Sequence, residues 1–433
     1  MGNFLTSALK TRLPQRGSFV ANVLTLMTGN TLAQGLLVAA APVLTRLYSP
    51  EDFGVLAIFM SMSTILSVVV GLRYEMAIML PDEDEDAASV LVLTVLITLG
   101  ISFLVLVGVA LFRHPIANLL KTPEMAPWLW WVPLNIMIMG FYHALTYWAS
   151  RKKRFQNLAI SRASQSLSGV GVQMGAGFFM HAGGMGLIAG QLTGNLASAG
   201  VLGGQIWREV WEKISNALTM AKLKEQALRY RKFPQYSALN GLLDTGSQML
   251  PLLLFSYFFG TLVLGHYFLA RRILSTPLSI LGQALSQVFF QKASEHHNKS
   301  KNLKSLVLKS YKSLFLIVIF PALVLFIGAP VIFETVFGGD WRLAGNYCQL
   351  ILPWIIILFI VSPSTVIFSI YNKQDLALLY GIISFISRLT AILFGALVLQ
   401  SAIYTIGLYG LIGLLINLVM GLNIVYITSN RAH

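Results

Sequence analysis

Apolar runs of about twenty residues or more recur along the whole chain, and no other feature restricts its fold so strongly. Each is long enough to cross about 30 Å of hydrocarbon as a helix. In that medium every main-chain N–H and C=O must find a partner within the protein, which leaves helices and closed barrels. Barrel strands would read as short alternating segments, and the runs here are continuous. They fall at about residues 19–44, 53–80, 87–112, 128–150, 156–180, 184–206, 235–259, 262–291, 305–331, 343–371, 376–399 and 402–426. Composition agrees: 56% of residues are hydrophobic and 11% charged, against about 45–50% and about 25% in a soluble domain. The chain reads as an all-α polytopic membrane protein with about twelve transmembrane helices.

The net charge of +14 is first a topology signal. With the N-terminus in the cytoplasm, the cytoplasmic connections hold Lys10, Arg12 and Arg16, the run Arg151–Lys152–Lys153–Arg154, and seven basic residues from Arg208 to Lys232. Lys292, Lys299, Lys301, Lys304, Lys309, Lys312, Lys373 and Arg431 fall on the same side. The opposite side holds only Arg46, Arg113, Lys121 and Arg342. Such a Lys/Arg bias orients a membrane protein with both termini inside, and it makes a nucleic-acid partner unnecessary. The acidic block Asp82–Asp86 lies on the cytoplasmic side, where it reads as a solvated turn after Pro81, since acids contribute little to the bias. Cys348 is the only cysteine, so no internal disulfide forms.

No connection exceeds about thirty residues, which excludes a soluble catalytic domain. The longest, 208–234, divides the chain into residues 1–207, a cytoplasmic linker, and residues 235–433, each flank holding six runs. Val210, Trp211, Ile214, Leu218 and Ala221 have helical spacing with basic residues between and after them, which fits either a cytoplasmic helix on the membrane surface or a partly ordered linker. The halves resemble each other. Pro42 and then Phe53–Gly54 precede the second run as Pro251 and then Leu264–Gly265 precede the eighth. Pro133 with Lys152 and Gln156 parallels Pro353 with Lys373 and Gln374. Six runs per half give both halves one orientation, a parallel repeat of the kind that places a central site between two lobes.

Seven strong charges remain inside the runs: Arg73, Glu75, Arg162, Asp244, Arg271, Arg272 and Arg388. Each costs about 2.5–3.5 kcal/mol at a helix centre, so each should face protein or water. Arg388 sits about 18 Å into its run and the Arg271–Arg272 pair about 15 Å, at 1.5 Å per residue. Asp244 is also near the middle, whereas Arg73, Glu75 and Arg162 are shallower. Arg73 and Glu75, two residues apart on a helix, point to different faces and do not pair directly. Five arginines against two acids suit a multiply charged anion, because guanidinium grips phosphate in a bidentate fork. For Arg73 and Arg162 the alternative is snorkelling to the surface, and Asp244 either neutralises an arginine or binds a coupling ion.

Other motifs carry little. Gly186, Gly190 and Gly194 form a small-residue stripe for helix packing. His143 and His266 read as packing residues, the seven histidines show no metal-ligand spacing, and there is no P-loop for ATP. No cofactor is implied.

Several stretches resemble one family. LTRLYSPEDFG and LRYEMAIMLP resemble the opening of bacterial oligosaccharide flippases, the Wzx-type O-antigen and capsule-repeat translocases. YRKFPQYSALNGLLDTGSQMLPLLL, GHYFLARRILSTPLSILGQALSQVFFQKAS, FGGDWRLAGNYCQLILPW and VSPST continue the likeness over nearly the whole chain. The family belongs with multidrug-and-toxin extruders and the lipid II flippase. The resemblance implies two six-helix lobes around a central cavity, alternating access, and an undecaprenyl-pyrophosphate-linked oligosaccharide as cargo. It implies a bacterial inner-membrane location, a role in lipopolysaccharide or capsule assembly beside polymerase and chain-length partners, and drive by a proton or sodium gradient. Arg271 and Arg272 match the position of cavity arginines in such flippases; Arg73, Arg162 and Arg388 are assigned to the cargo by depth. Glu75 and Asp244 become candidates for ion coupling, and Gln34, Asn240, Gln248 and Tyr267 for contacts to sugar. Two other classes fit less well. A cation-coupled drug antiporter of the same superfamily would favour an acidic cavity, and a membrane polymerase or ligase would need a larger outer loop than 113–127.

Overall fold

The computed structural model describes residues 19–217, 219–298 and 303–429. Lys10, Arg12, Arg16, Leu218, Lys299, Lys301 and Arg431 lie outside them, as do the side chains of Val210 and Ile214.

Among the described residues twelve long helical stretches follow one another: α1 Phe19–Leu47, α2 Pro50–Val70, α3 Asp84–Leu119, α4 Trp131–Arg151, α5 Phe155–Met180 and α6 Gly183–Ala217 in one lobe. The second lobe is formed by α7 and α8, the two parts of the helix Ala238–Asn298, then α9 Leu303–Phe337, α10 Arg342–Val361, α11 Gln374–Phe394 and α12 Ala402–Ser429. The division between α7 and α8 is Gly260, whose φ of 84° breaks the helical path; a residue without Cβ takes this conformation at little cost. Among the described residues, seven spans are long and apolar enough to cross a membrane by length and composition, one of them taking in α7 and α8 together. Of the rest, α5 and α6 are lowered by glycine, serine and glutamine, and these two helices line the cavity described below.

Helix ends follow local chemistry. Ser49 and Asp52 form a reciprocal capping box ahead of α2, Ser49 N–H donating to Asp52 Oδ2 at 2.9 Å and Asp52 N–H to Ser49 Oγ at 3.3 Å, with Pro50 in the first turn. The acidic block has a structural use that differs from a free turn. Asp84, Glu85 and Asp86 form the first turn of α3, where negative charge complements the helix dipole. Asp84 also pairs with Lys152 and, at 3.2 Å, with Arg151, which docks the basic turn after α4 onto the start of α3.

The linker departs from the expected arrangement. Residues 210–217 continue α6 instead of forming a separate surface helix. The amphipathic helix is the next one, Met220–Arg229, which buries Leu223 and Gln226 and packs on α3. The apolar spacing starting at Val210 belongs to the last turns of the long helix α6.

The lobes meet chiefly through α2, which packs along α7 and α8. A Cβ on Gly54 would strike the main-chain oxygen of Thr261, and one on Gly265 that of Pro50. These are the two glycines matched by the internal repeat, and they let α2 and α8 approach backbone to backbone. Trp341 reinforces this end: its indole donates to the main-chain oxygen of Thr45 at 2.9 Å, and its ring meets Phe53 edge-on at 5.0 Å between centroids. His266 contacts the main-chain oxygens of Leu262 and Asp340, each at 2.8 Å. The lobes are thus sealed at the end opposite the basic turns. Large apolar residues such as Phe103, Phe179, Phe320 and Ile327 are exposed on the outer surface, as a lipid-facing belt requires.

Candidate functional site

Between the lobes lies a cavity of about 440 Å³. Its first wall is built by α1, α2, α5 and α6 with Tyr142 of α4, its second by α7 and α8. On α8, Arg271, Arg272, Ser275 and Thr276 face it. On α5, Arg162, Gln165, Ser166 and Gly169 face it, and α1 contributes Asn30 and Gln34. Adjacent helical residues leave the axis about 100° apart, yet the cavity reaches far enough around α8 to take in both arginines of the pair. Arg271 Nη1 also donates to the main-chain oxygen of Gln248 at 3.5 Å. Among the described residues, no aspartate or glutamate lines the cavity. Three guanidinium groups therefore share one concave space without a lining carboxylate to neutralise them.

Of the other residues singled out from the sequence, Gln34 lines this wall and the remainder lie elsewhere. The Arg388 guanidinium stacks over Trp354 at 4.4 Å from the ring centroid, with Tyr409 at 5.6 Å. This cation–π seating holds it inside the second lobe. Tyr267 is fully buried, against Phe255 at 4.8 Å and Tyr409 at 6.4 Å, so its ring is core in this conformation. Asn240, Asp244 and Gln248 fall four residues apart and form an exposed polar stripe on α7, with Gln248 Nε2 3.5 Å from each carboxylate oxygen of Asp244.

Arg73 and Glu75 correct the helical reading. The helix α2 stops at Val70, and Leu72 and Arg73 take left-handed backbone angles, φ 48° and 62°. That reversal turns the two side chains toward one another, and Arg73 Nη1 lies 3.8 Å from Glu75 Oε1. A continuous helix would have separated them. The Glu75 side chain is 5% exposed, and its Oε2 has no hydrogen-bond partner. Arg73 lies against α7, where a Cβ on Gly241 would stand 2.9 Å from its Nε. The pair thus sits where the first lobe touches α7 at the basic end.

A set of carboxamides was not evident from a search for charges. Gln165 Nε2 donates to Asn195 Oδ1 at 2.7 Å, Gln191 Nε2 to the same oxygen at 3.4 Å, and Asn195 Nδ2 to Asn135 Oδ1 at 2.7 Å. Gln165 and Gln191 line the cavity, while Asn195 and Asn135 are buried behind them. The glycine stripe explains their position. Gly190 and Gly194 bring α6 onto α5 so closely that a Cβ on Gly194 would stand 2.7 Å from the main-chain oxygen of Gln165. Carboxamides beside glycines in two runs of low hydropathy were the available sequence signal.

Comparison with known proteins agrees with this architecture. The inward-facing conformation of a multidrug resistance MATE family transporter of the MOP superfamily superposes with a TM-score of 0.67, at 13% identity over 94% of this chain and 96% of that one. The inward closed conformation of the lipid II flippase MurJ gives 0.66, at 13% identity over 95% and 90%. A MOP superfamily transporter from Pyrococcus furiosus, described as having a binding pocket of reverse polarity, gives 0.57, at 12% identity over 96% and 97%. Among curated proteins none is significantly similar in sequence. Residues 43–345 match the family described as polysaccharide biosynthesis protein. With most of its length matched and its two lobes closed around a cationic cavity, the chain belongs to the polysaccharide biosynthesis protein family, on the fold that MATE transporters and the lipid II flippase share.

Proposed function

We propose that the protein carries an undecaprenyl-pyrophosphate-linked oligosaccharide from the cytoplasmic to the outer leaflet of a bacterial inner membrane. The observation that carries this reading is the cavity wall: Arg162, Arg271 and Arg272 line it and no described carboxylate does. A water-filled cavity with that lining concentrates anions, and guanidinium replaces phosphate hydration by paired, charge-assisted hydrogen bonds. The family match supports a saccharide cargo. A cavity for cationic drugs would place carboxylates on the same wall, which argues against the antiporter reading.

No bond breaks in this process. The arginines hold the pyrophosphate, the saccharide fills the rest of the cavity, and the polyprenyl chain stays in lipid. The basic end is cytoplasmic by the Lys/Arg bias, so the lobes sealed by Trp341, Gly54 and Gly265 represent the state closed to the outside. Rocking of the lobes that parts this seal exposes the site outward. Cargo shifts that equilibrium only by binding the two states with different affinity. We assign ion coupling to Glu75, because a buried carboxylate beside the contact with α7 would gain or lose a proton or sodium ion as the lobes move.

The direct test is deletion of the gene. The expected result is accumulation of lipid-linked oligosaccharide on the cytoplasmic leaflet, relieved by the wild-type gene and not by an Arg271→Ala/Arg272→Ala variant present at normal membrane levels. Normal outer-leaflet delivery in the deletion strain would overturn the proposal.

A further inference from the structure

We infer that the two cavity walls divide the cargo between them, with the carboxamides of α5 and α6 forming a saccharide-recognition site and the arginines of α8 holding the phosphates. The inference rests on the flippase reading and adds the part of the cargo that each wall reads.

The walls differ in chemistry. The α8 wall carries adjacent full charges, Arg271 and Arg272. The opposite wall carries Gln165 and Gln191, with Arg162 as its only charge among the described lining residues. A carboxamide offers two donors and an acceptor without net charge, which matches a sugar hydroxyl that both gives and receives a hydrogen bond, or an acetamido group. It is a poor rival to guanidinium for a pyrophosphate, since it brings neither a positive charge nor the paired N–H fork. A cargo with a charged end and a neutral polar end is therefore oriented by the cavity.

The amides are also held in place. Asn195 is 6% exposed and Asn135 2%, and the 2.7 Å bonds from Gln165 to Asn195 and from Asn195 to Asn135 fix Gln165 from behind. This backing leaves the carbonyl oxygens of Gln165 and Gln191 without a partner among the described residues, available to the cavity. Gly169, Gly190 and Gly194 lie on the same wall, and their close packing between α5 and α6 holds the two glutamines side by side. Recognition groups that are already positioned lose little side-chain freedom on binding.

The experiment uses full-length protein purified in mild detergent from the cells in which it normally works. Co-purified lipids are extracted, and polyprenyl pyrophosphate bearing saccharide is quantified against bare polyprenyl phosphates by mass spectrometry. Wild type is expected to be enriched in the saccharide-bearing lipid over the surrounding membrane. Gln191→Leu and Gln165→Leu/Gln191→Leu are expected to lower that enrichment at least fivefold while keeping the bare lipid. The retained lipid doubles as the folding control. Arg272→Ala is expected to lose both species. Wild-type enrichment in the amide variants would overturn the division of the cargo, as would parallel loss of both lipids, which would make the amides structural. Absence of any polyprenyl lipid from wild type would instead remove the flippase reading on which the inference stands.

Discussion

Trp341 and Thr45 are 296 residues apart, and a buried hydrogen bond of 2.9 Å from the indole to the Thr45 main-chain oxygen joins the two lobes where they close. The bond lies beside the contact of Trp341 with Phe53. Substituting Trp341→Phe keeps an aromatic ring and removes the donor, leaving a buried carbonyl unpaired at a cost of about 1–3 kcal/mol. That corresponds to about 5- to 150-fold in the equilibrium between closed and opened outer ends. Distances between spin labels on the outer ends of α2 and α8 should shift toward the open population, and an unchanged distribution would show that the seal does not depend on this bond.

The glycine approach predicts a steric result. Gly265→Ala would place a methyl group against the main-chain oxygen of Pro50, and Gly54→Ala one against that of Thr261. Overpacking of this kind costs about 1–3 kcal/mol. Both variants should melt lower in detergent and deliver less polysaccharide to the surface. Gly171→Ala has nothing within 4 Å and should behave as wild type, which separates close approach from helix propensity.

The arginines should separate into two groups. Removing Arg272 from the cavity wall loses a contact to a charged group, about 1.5–3 kcal/mol or about ten- to a hundredfold in cargo affinity. Arg272→Lys should restore part of it, keeping the charge and losing the fork. Arg388→Ala should instead remove the cation–π contact with Trp354, about 0.5–2 kcal/mol of stability, with cargo binding retained. Equal losses of binding in both variants would place Arg388 in the cargo site after all.

Glu75 and Asp244 are expected to respond differently to neutralisation. Glu75 is buried beside Arg73 at 3.8 Å, whereas Asp244 is exposed and 3.5 Å from Gln248 Nε2. In proteoliposomes Glu75→Gln should flatten the dependence of transport on the ion gradient, and Asp244→Asn should leave it intact. Full gradient dependence in Glu75→Gln would exclude that residue as the coupling site.

Topology is testable at Met220, which is 80% exposed at the start of the amphipathic linker helix. In a Cys348→Ser background, Met220→Cys should react with an impermeant maleimide only after the membrane is permeabilised. Labelling in intact cells would invert the orientation.

The number of helices and their kind were legible in the sequence, because crossing a bilayer is a local requirement that each run of about twenty apolar residues meets by itself. The repeat was legible too, and Gly54 and Gly265, paired by it, became the contact between lobes. Arg73 and Glu75 escaped the reading because their pairing depends on a reversal at residues 71–73, which ends α2 inside an apolar run. Gly71 ahead of them was the only local sign of a helix end.

Which polar groups share the cavity was decided by tertiary structure alone. Depth along a helix follows from counting residues, and on that measure Arg388 is comparable to Arg271 and Arg272. The direction a side chain faces follows from how its helix is rotated against neighbours, which packing sets. α8 turns Arg271 and Arg272 to the cavity, while Arg388 turns onto Trp354. The same packing brings Gln165, Gln191 and Asn195 together from two helices through glycines that hold no chemistry of their own. The sequence by itself determined a twelve-helix membrane bundle with charges it cannot leave in lipid; only the assembled lobes decided which of those charges meet, because a helix carries its rotation in its neighbours' surfaces and not in its own residues.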